Sequence, residues 1–208
     1  MPLLSLLLAT ENEGKLRELR QILGDLPLRL LSPDDLGLHL EVAEVGTTFA
    51  ENATLKACAY AQAAALPALA DDSGLEVDAL GGRPGVLSAR YVSECANDAN
   101  RRRKLLAEMN VVPDGKRGAR FRCVMVLVWY GRIYTTEGTI EGEIAREERG
   151  SGGFGYDPIF YLPDLGRTMA ELSPSEKNAI SHRGRAARAM RSLLTELLSS
   201  IDPNLPKC

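Results

Sequence analysis

The stretch LLSLLLATENEGKLRELRQIL, residues 3–23, decides the fold class that the sequence predicts. Residues 3–9 are almost all apolar, which is typical of a buried strand. A polar turn follows, and Leu16, Leu19 and Ile22 then recur at the spacing of one helix face. Strand, turn and amphipathic helix in this order are typical of an α/β protein.

The next part of the chain continues this alternation. Residues 28–31 are a short strand candidate, and Thr48 opens a second helix because Glu51 completes a capping box with it. This helix is expected to end before Pro67. Residues 67–70 predict a brief strand that ends at the first of two aspartates.

The second half of the chain adds an antiparallel element. Residues 97–109 predict a helix, and residues 120–130 and 133–144 are rich in β-branched and aromatic residues on either side of Gly131. This pattern predicts a long hairpin and favours a second lobe. A short strand is expected at residues 159–161. A final helix from about Ser181 would carry an apolar stripe of Ala186, Met190, Leu194, Leu197 and Ile201.

Composition limits the possible partners. The 208 residues suit one compact domain or two lobes that share a core. The net charge of −3 gives no overall attraction to nucleic acid or an anionic membrane, so neither is expected as a partner. Residues 3–9 are too few to span a bilayer. The sequence contains two histidines and four widely separated cysteines: Cys58, Cys95, Cys123 and Cys208. These ligands are too few and too far apart to predict a zinc site. The cysteines are expected to be free thiols in a reducing cytoplasm.

The first of four candidate segments is the turn after the first strand, residues 10–15. Free backbone N–H groups and the helix dipole favour phosphate at such a place, and Lys15 adds a point charge. The turn is not a Walker loop, since Leu16 replaces the required Ser or Thr. An ordinary capped helix start is the alternative, and it is the more frequent use of such turns.

The second segment is Asp71-Asp72-Ser73-Gly74, which the sequence places at a strand end. Carboxylates are the ligands that magnesium prefers when phosphate oxygens and waters complete its shell, and a carboxylate there can also orient an attacking water. A plain Asx or Ser turn is the alternative. Glu44, before the second helix, is a candidate for a further ligand. Lys56 has an alternative interpretation as a solvated helix charge.

The third segment, residues 150–155, matches the G-x-G-x-x-G pattern of a dinucleotide-binding turn. The context does not fit, because Tyr156, Asp157 and Pro158 predict an extended segment where that motif requires a helix. The glycines would instead let the backbone approach a ligand, with Phe154 stacking on a flat base. A mobile hairpin loop with a core phenylalanine is the alternative.

The fourth segment places Lys177, Ser181, His182 and Arg183 at the head of the final helix. Cations usually avoid a helix N-terminus, so their presence favours a charged or carbonyl-bearing ligand. A solvated face is the alternative. The basic run at residues 101–104 is interpreted as the wet side of a helix.

Together these segments resemble the inosine triphosphate pyrophosphatase family, also called Ham1-like, over essentially the whole chain. The matching segments occur in family order: residues 10–15, 48–56, 70–75, 81–91, 152–158 and 176–183. The resemblance implies an α/β fold with an elongated mixed β-sheet flanked by helices in two lobes, with a substrate cleft between them. It also implies one domain over residues 1–208, a second lobe mainly from residues 82–170, a homodimer and a magnesium (Mg²⁺) cofactor.

The resemblance also assigns roles to individual residues. Asp72 is similar to the catalytic general base, and Glu44 and Asp72 look like the magnesium-linked acids. Glu11 replaces a small residue that is common in relatives and is expected to point outward. The triphosphate side is implied to consist of Thr10, Glu11, Asn12, Glu13, Gly14, Lys15, Lys56 and Ser73. The base and substrate pocket is implied to consist of Phe154, Gly155, Tyr156, Asp157, Lys177, His182 and Arg183.

The implied reaction converts non-standard purine triphosphates, such as ITP, dITP and XTP, to the monophosphate and pyrophosphate. A water activated by Asp72 would attack the α-phosphorus in line. Arg183 and His182 would donate to the six-position carbonyl of hypoxanthine or xanthine, which adenine lacks. Three alternatives remain: a pyrophosphatase for modified pyrimidine nucleotides, a purine-nucleotide-binding regulatory module without catalysis, and an RNA-binding protein, which the scattered basic residues disfavour.

Overall fold

The computed structural model of the protein describes residues 3–93 and 97–200. These residues form a mixed sheet flanked by helices. The strands are β1 (Leu4–Leu8), β2 (Leu28–Leu31), β3 (Ala68–Val77), β4 (Gly118–Trp129), β5 (Arg132–Ile144), β6 (Phe160–Leu162) and β7 (Arg167–Thr168). The helices are α1 (Glu13–Leu23), α2 (Phe49–Ala64), α3 (Asp98–Glu108), α4 (Pro174–Ile180) and α5 (His182–Ser199).

The sheet has seven strands in the order β2-β1-β3-β4-β5-β6-β7. β1 pairs in parallel with β2 and β3, and every later pair is antiparallel. A parallel α/β start therefore continues into an antiparallel ribbon. The prediction of a mixed sheet flanked by helices is confirmed.

The predicted hairpin forms β4 and β5, which pair from Gly118–Glu143 to Trp129–Arg132. Its turn consists of Tyr130 and Gly131, with φ angles of 45° and 82°. Positive φ at both central residues is typical of the two-residue turns whose twist matches that of the strands. The hairpin is the longest paired element, and it supports the strand that carries the aspartates.

The two faces of the sheet are covered by different helices. α1 and α5 pack on one face through residues such as Leu19 and Met190, both fully buried. α2 packs on the other face through Ala53 and Tyr60. A third cluster, around Leu105 and Phe160, lies toward β5 and β6. The division of the chain into two lobes at about residues 82–170 stays a prediction.

The predicted end of β3 was wrong. The strand was expected to stop before Asp71, but it continues to Val77, so the aspartates lie in its interior. The reason is the neighbouring strand: β4 pairs with β3 without a break from Ala68 to Val77. Continuous pairing overrides the low strand propensity of Asp and Gly.

The predicted start of the final helix was correct, but the segment before it is a separate helix. Lys177 lies in α4, which Ser173 and Glu176 begin with a capping box. Ser181 ends α4 and caps α5 by accepting a hydrogen bond from the Gly184 N–H. Lys177 is therefore not at the head of the last helix, and the last residue of the predicted stripe, Ile201, lies outside the described residues.

Within residues 3–93 and 97–200, no helix is both long and apolar enough to cross a membrane. Cys58 is exposed and Cys123 is buried, and both are free thiols. Cys95 and Cys208 lie outside the described residues.

Candidate functional site

A cleft opens beside the part of β3 that has no pairing with β1. β1 pairs with β3 only at Leu7–Ala68 and Leu8–Leu69, so β3 runs past the carboxyl end of its neighbour. Ligands of open α/β sheets bind at such carboxyl ends. Residues that line the cleft include Asn12, Lys15, Glu44, Lys56, Asp72, Ser73, Phe154, Gly155, Tyr156, Asp157, Lys177, His182 and Arg183.

The two adjacent aspartates of β3 point to opposite faces of the sheet, because successive strand residues alternate. Asp71 faces α1 and α5, where its Oδ2 atom lies 3.0 Å from Lys15 Nζ and accepts a hydrogen bond of 3.3 Å from Arg183 Nε. Only 2% of Asp71 is exposed. Its carboxylate therefore serves as a buried counter-ion for two cations.

Asp72 faces α2 and the open cleft. Its Oδ2 accepts a hydrogen bond of 3.2 Å from Asn52 Nδ2, and its Oδ1 lies 3.6 Å from Lys56 Nζ. The Gly46 N–H donates in turn to Asn52 Oδ1, which fixes the amide. Among the residues that the structure describes, Asp72 Oδ1 thus has only this distant partner.

The environments of the two aspartates shift their pKa values in opposite directions. Burial raises the pKa of Asp71, but Lys15 and Arg183 more than offset this and bring it below its ordinary value. Burial raises the pKa of Asp72, and Lys56 and Lys15 offset this only in part. When two neighbouring carboxyl groups have pKa values shifted in opposite directions, the one with the lower pKa is suited to be a structural anion and the one with the higher pKa to accept a proton.

Glu44 and Asp72 approach each other across a shared cation. Lys56 Nζ lies 2.9 Å from Glu44 Oε1 and 3.6 Å from Asp72 Oδ1. Arg90 donates to the Glu44 carbonyl oxygen at 3.2 Å, which holds this loop against the cleft. The alternative interpretation of Lys56 as a solvated helix charge was wrong, since only 14% of its side chain is exposed.

The two carboxylates fit a hard divalent cation that keeps other ligands. Magnesium is usually held by one or two carboxylates, with waters and substrate phosphates completing its shell. Glu44 and Asp72 supply that number, and their common attraction for Lys56 shows that the position favours positive charge. Among the described residues, no group of three or more His, Cys, Asp and Glu side chains could hold a metal by itself.

The turn before α1 caps the N-terminus of this helix, as the alternative interpretation predicted. Asn12 is the N-cap, and its side chain accepts a hydrogen bond from the Lys15 N–H. Asn12 and Lys15 line the cleft. Among the described residues, the remaining four members of the predicted triphosphate turn are not part of that lining: Thr10, Glu11, Glu13 and Gly14.

Gly14 instead supports Phe154. A Cβ atom on Gly14 would lie 2.6 and 2.8 Å from the Phe154 Cδ1 and Cε1 atoms. The absence of a side chain therefore allows the aromatic ring to pack directly on α1. This contact joins the first and third candidate segments.

Two cations lie near the Phe154 ring. Lys177 Nζ is 4.5 Å and Arg183 Cζ is 5.3 Å from the ring centroid, within the range of cation–π attraction. The Phe154 N–H donates to Asp157 Oδ2 at 2.8 Å, and Lys177 Nζ donates to the same oxygen at 2.5 Å. Asp157 thus links the glycine-rich loop, residues 150–155, to α4.

Glu18 of α1 connects the same two cations and was not predicted from the sequence. Its Oε1 lies 2.8 Å from Lys177 Nζ, and its Oε2 accepts a hydrogen bond of 2.7 Å from Arg183 Nη1. Burial raises the pKa of Glu18, but Arg183 and Lys177 lower it to a net value below the ordinary one. Glu18 is therefore an anion that holds the cations of the pocket.

His182 and Arg183 are buried, so the alternative of a solvated face was wrong. The His182 ring stacks on Phe121 with centroids 4.6 Å apart and an angle of 15°. In the described part of the chain, its Nδ1 atom has no hydrogen-bond partner. Burial and the charge of Arg183 lower the pKa of His182 well below its ordinary value, so the ring is neutral.

Arg183 already donates from each of its three nitrogens. Nε donates to Asp71, Nη1 to Glu18 and Nη2 to Ser73, the last at 2.8 Å. The guanidinium is therefore fixed by protein groups. Of the two expected carbonyl donors, His182 has the freer polar atom.

The interpretation of residues 101–104 as the wet side of a helix was wrong in part. Arg101 and Arg102 have side chains only 16% and 14% exposed, and Arg101 lines the cleft. Arg103 is exposed, as expected. A continuous run of cations in the sequence does not reveal which side chains contact a loop from a distant part of the chain.

Comparisons with known proteins agree with this geometry. A sequence model of the Ham1 family matches residues 6–193. A protein of Photorhabdus laumondii and one of Escherichia coli K12, both named dITP/XTP pyrophosphatase, are each 50% identical over 190 residues. Each alignment covers 90% of this chain and 96% of the relative.

Solved structures give the same result. A HAM1 protein from Coxiella burnetii superposes with a TM-score of 0.85 and 46% identity. The Ham1 protein of Staphylococcus aureus has a TM-score of 0.82 and 40% identity. Both matches cover 93% of this chain and 99% of the other. With this fold, this cleft and this extent of sequence identity, the chain belongs to the Ham1 family.

Proposed function

We propose that this protein hydrolyses non-standard purine nucleoside triphosphates, such as dITP, ITP and XTP, to the monophosphate and pyrophosphate. The observation that carries the proposal is the pair Asp71 and Asp72, which gives the cleft a buried counter-ion beside a carboxylate of raised pKa. The dITP/XTP pyrophosphatases that match over nine-tenths of the chain support the substrate class.

Asp72 is the proposed general base. Within residues 3–93 and 97–200, its Oδ1 has only the 3.6 Å ion pair with Lys56, while Asn52 holds Oδ2, so the carboxylate is oriented with one oxygen free to accept a proton. A water deprotonated there would attack the α-phosphorus, and the bond to the pyrophosphate oxygen would break. Its raised pKa brings Asp72 closer to the working pH, as a base requires.

Lys15 and Lys56 are the proposed partners of the polyphosphate. Both ammonium groups line the cleft and now pair with carboxylates of the protein. They would neutralise the charge that grows on the departing pyrophosphate, and fixed charges in a dry cleft are effective at this. When bound between Glu44 and Asp72, Mg²⁺ would supply further neutralisation of the phosphate oxygens.

The base is proposed to stack on Phe154, which belongs to the lining of the cleft. His182 Nδ1, unpartnered in the described chain, would carry its proton and donate to the six-position carbonyl. The adenine amino group is itself a donor and would leave His182 unpaired in a buried site. Such a mismatch costs about 1–3 kcal/mol.

The family resemblance also supports a homodimer and one domain with two lobes, and the free thiols of Cys58 and Cys123 support a cytoplasmic location. The net charge of −3 supports the expectation that neither nucleic acid nor a membrane is a partner. Light scattering of the purified protein tests the dimer. A mass of twice 22.6 kDa is the expected result, and a monomer at assay concentration would contradict it.

A product analysis tests the function. The protein is incubated with ITP, XTP, ATP, GTP and a modified pyrimidine triphosphate, with and without Mg²⁺, and pyrophosphate is resolved from orthophosphate. Pyrophosphate from ITP and XTP, lost on removal of the metal, is expected. Orthophosphate release, or equal rates for all bases, would overturn the proposal, and binding without turnover would favour a regulatory module.

A further inference from the structure

Gly155, next to Phe154, is held by α3 at both of its backbone groups. Its N–H donates to Asp98 Oδ2 at 2.8 Å, and its carbonyl oxygen accepts a hydrogen bond of 2.9 Å from Arg102 Nη1. Asp98 and Arg102 are one helical turn apart, so both side chains leave α3 on the same face. α3 therefore contacts the glycine-rich loop through two directed bonds.

The loop needs such external contacts. Gly153 and Gly155 have φ angles of 70° and 60°, and glycine restricts its own backbone less than any other residue. On its other side, Phe154 is held by the bond from its N–H to Asp157. The contacts with α3 thus complete the restraint of the aromatic residue.

Asp98 and Arg102 are themselves fixed. Asp98 Oδ1 accepts a hydrogen bond of 2.5 Å from Arg101 Nη1, which leaves Oδ2 for Gly155. Arg102 Nη2 lies 3.0 Å from Glu148 Oε2, which leaves Nη1 for the Gly155 carbonyl. Each side chain is therefore oriented before it meets the loop, so the two bonds define one position of Gly155.

We propose that Asp98 and Arg102 are positioning residues that set where the Phe154 ring lies and thereby control affinity for the base of the nucleotide. The inference rests on the proposed function, because it assigns Phe154 to the base. The polyphosphate partners Lys15 and Lys56 pair with Asp71 and Glu44, and in the described chain they form no ion pair or hydrogen bond with α3. Substitution of Asp98 or Arg102 should therefore weaken binding of the base and leave binding of the phosphates unchanged.

The first test follows the loop itself and does not depend on activity. Hydrogen exchange of the Gly155 amide is measured in the wild type, in Asp98→Ala, in Arg102→Ala and in the control Arg103→Ala. Arg103 is exposed on the same helix and bonds only to Asn100 among the described residues. Loss of a charge-assisted bond should speed exchange about tenfold in Asp98→Ala and leave Arg103→Ala unchanged.

The second test separates base from phosphate. Affinity for IMP and for inorganic tripolyphosphate is measured in the same variants, together with kcat and KM for ITP. Asp98→Ala and Arg102→Ala should weaken IMP binding and raise KM about tenfold, whereas tripolyphosphate affinity changes less than about twofold. A general loss of structure would weaken both ligands equally.

A conservative variant covers the case in which Asp98→Ala does not fold. Asp98→Asn keeps a carbonyl oxygen that can accept from Gly155, so its exchange rate and IMP affinity should lie between those of Asp98→Ala and the wild type. If Asp98→Ala, Arg102→Ala and Arg103→Ala behave alike in exchange and in IMP affinity, the inference is overturned. If the wild type fails to hydrolyse ITP but Gly155 still exchanges faster in Asp98→Ala, the proposed function fails while the contact with α3 stands.

Discussion

Asp71 and Asp72 are neighbours in β3, yet the fold gives them opposite electrostatic surroundings. Asp71 meets Lys15 and Arg183 on one face of the sheet, whereas Asp72 meets Asn52 and, more distantly, Lys56 on the other. The pKa of the first carboxyl is lowered and that of the second is raised. One residue is thereby suited to hold the site together and the other to accept a proton.

Replacement of each aspartate by asparagine should separate these roles. Asp72→Asn removes the base and should lower kcat about 10³-fold with little change in stability. Asp71→Asn leaves Lys15 and Arg183 without their buried counter-ion and should destabilise the protein by about 3 kcal/mol. Urea unfolding and steady-state kinetics measure both effects. The reverse order, with Asp72→Asn less stable and more active than Asp71→Asn, would contradict the assignment.

The pH dependence of kcat/KM should report the Asp72 carboxyl. Activity requires its deprotonated form, so activity falls as the pH drops through a pKa above the ordinary 3.8. Lys56 lowers this pKa and Glu44 raises it. The acid limb should therefore move to higher pH in Lys56→Ala and to lower pH in Glu44→Gln. The substrate titrates identically with both variants, so it cannot account for a difference between them. Shifts of the acid limb in the same direction for both variants would therefore exclude Asp72 as the titrating base.

Gly14→Ala tests the contact between α1 and the aromatic ring. Alanine in place of glycine usually stabilises a helix by about 0.5–1 kcal/mol. Here the new Cβ would overlap the Phe154 ring, so we expect a destabilisation of about 1–3 kcal/mol and a higher KM for ITP. In a Phe154→Leu background the penalty should shrink, as a double-mutant cycle would measure. Equal penalties in both backgrounds would show that the ring is not what Gly14 accommodates.

Glu18→Gln tests the anion that joins the two cations beside Phe154. The change removes the charge that balances Lys177 and Arg183, so it should destabilise the protein by about 3 kcal/mol and weaken IMP binding. Glu196→Gln on the exposed side of α5 is the control and should stay within about 0.5 kcal/mol of the wild type. Thermal unfolding and IMP titration measure the two effects, and equal behaviour of the two variants would refute this role for Glu18.

The elements with strong local signals could be predicted from the sequence. The hairpin of β4 and β5 follows from its β-branched residues around Gly131, and the start of α2 follows from the capping box of Thr48 and Glu51. The wrong end of β3 has a different cause. Pairing with β4 extends the strand past Asp71 and Asp72. Because β4 is distant in the sequence, the residues around the two aspartates contain no local signal of this pairing.

The site residues that were missed share one physical feature. Glu18, Asn52 and Asp98 act through side chains or backbone groups that are remote in sequence, and each sits on a helix where an acid or amide is ordinary. Asn52 alone had a local signal, since it follows the capping box that fixes the start of α2. The glycine-rich loop was located by its composition, and a helix was predicted over residues 97–109, but the contact between the two was not predicted.

The most direct test of the account is the position of bond cleavage. ITP is hydrolysed in water enriched in ¹⁸O, and the products are analysed by mass spectrometry. Attack by a water that Asp72 activates at the α-phosphorus predicts one ¹⁸O atom in IMP and none in pyrophosphate. Label in pyrophosphate or orthophosphate, with unlabelled nucleotide, would place the attack at another phosphorus and contradict the account.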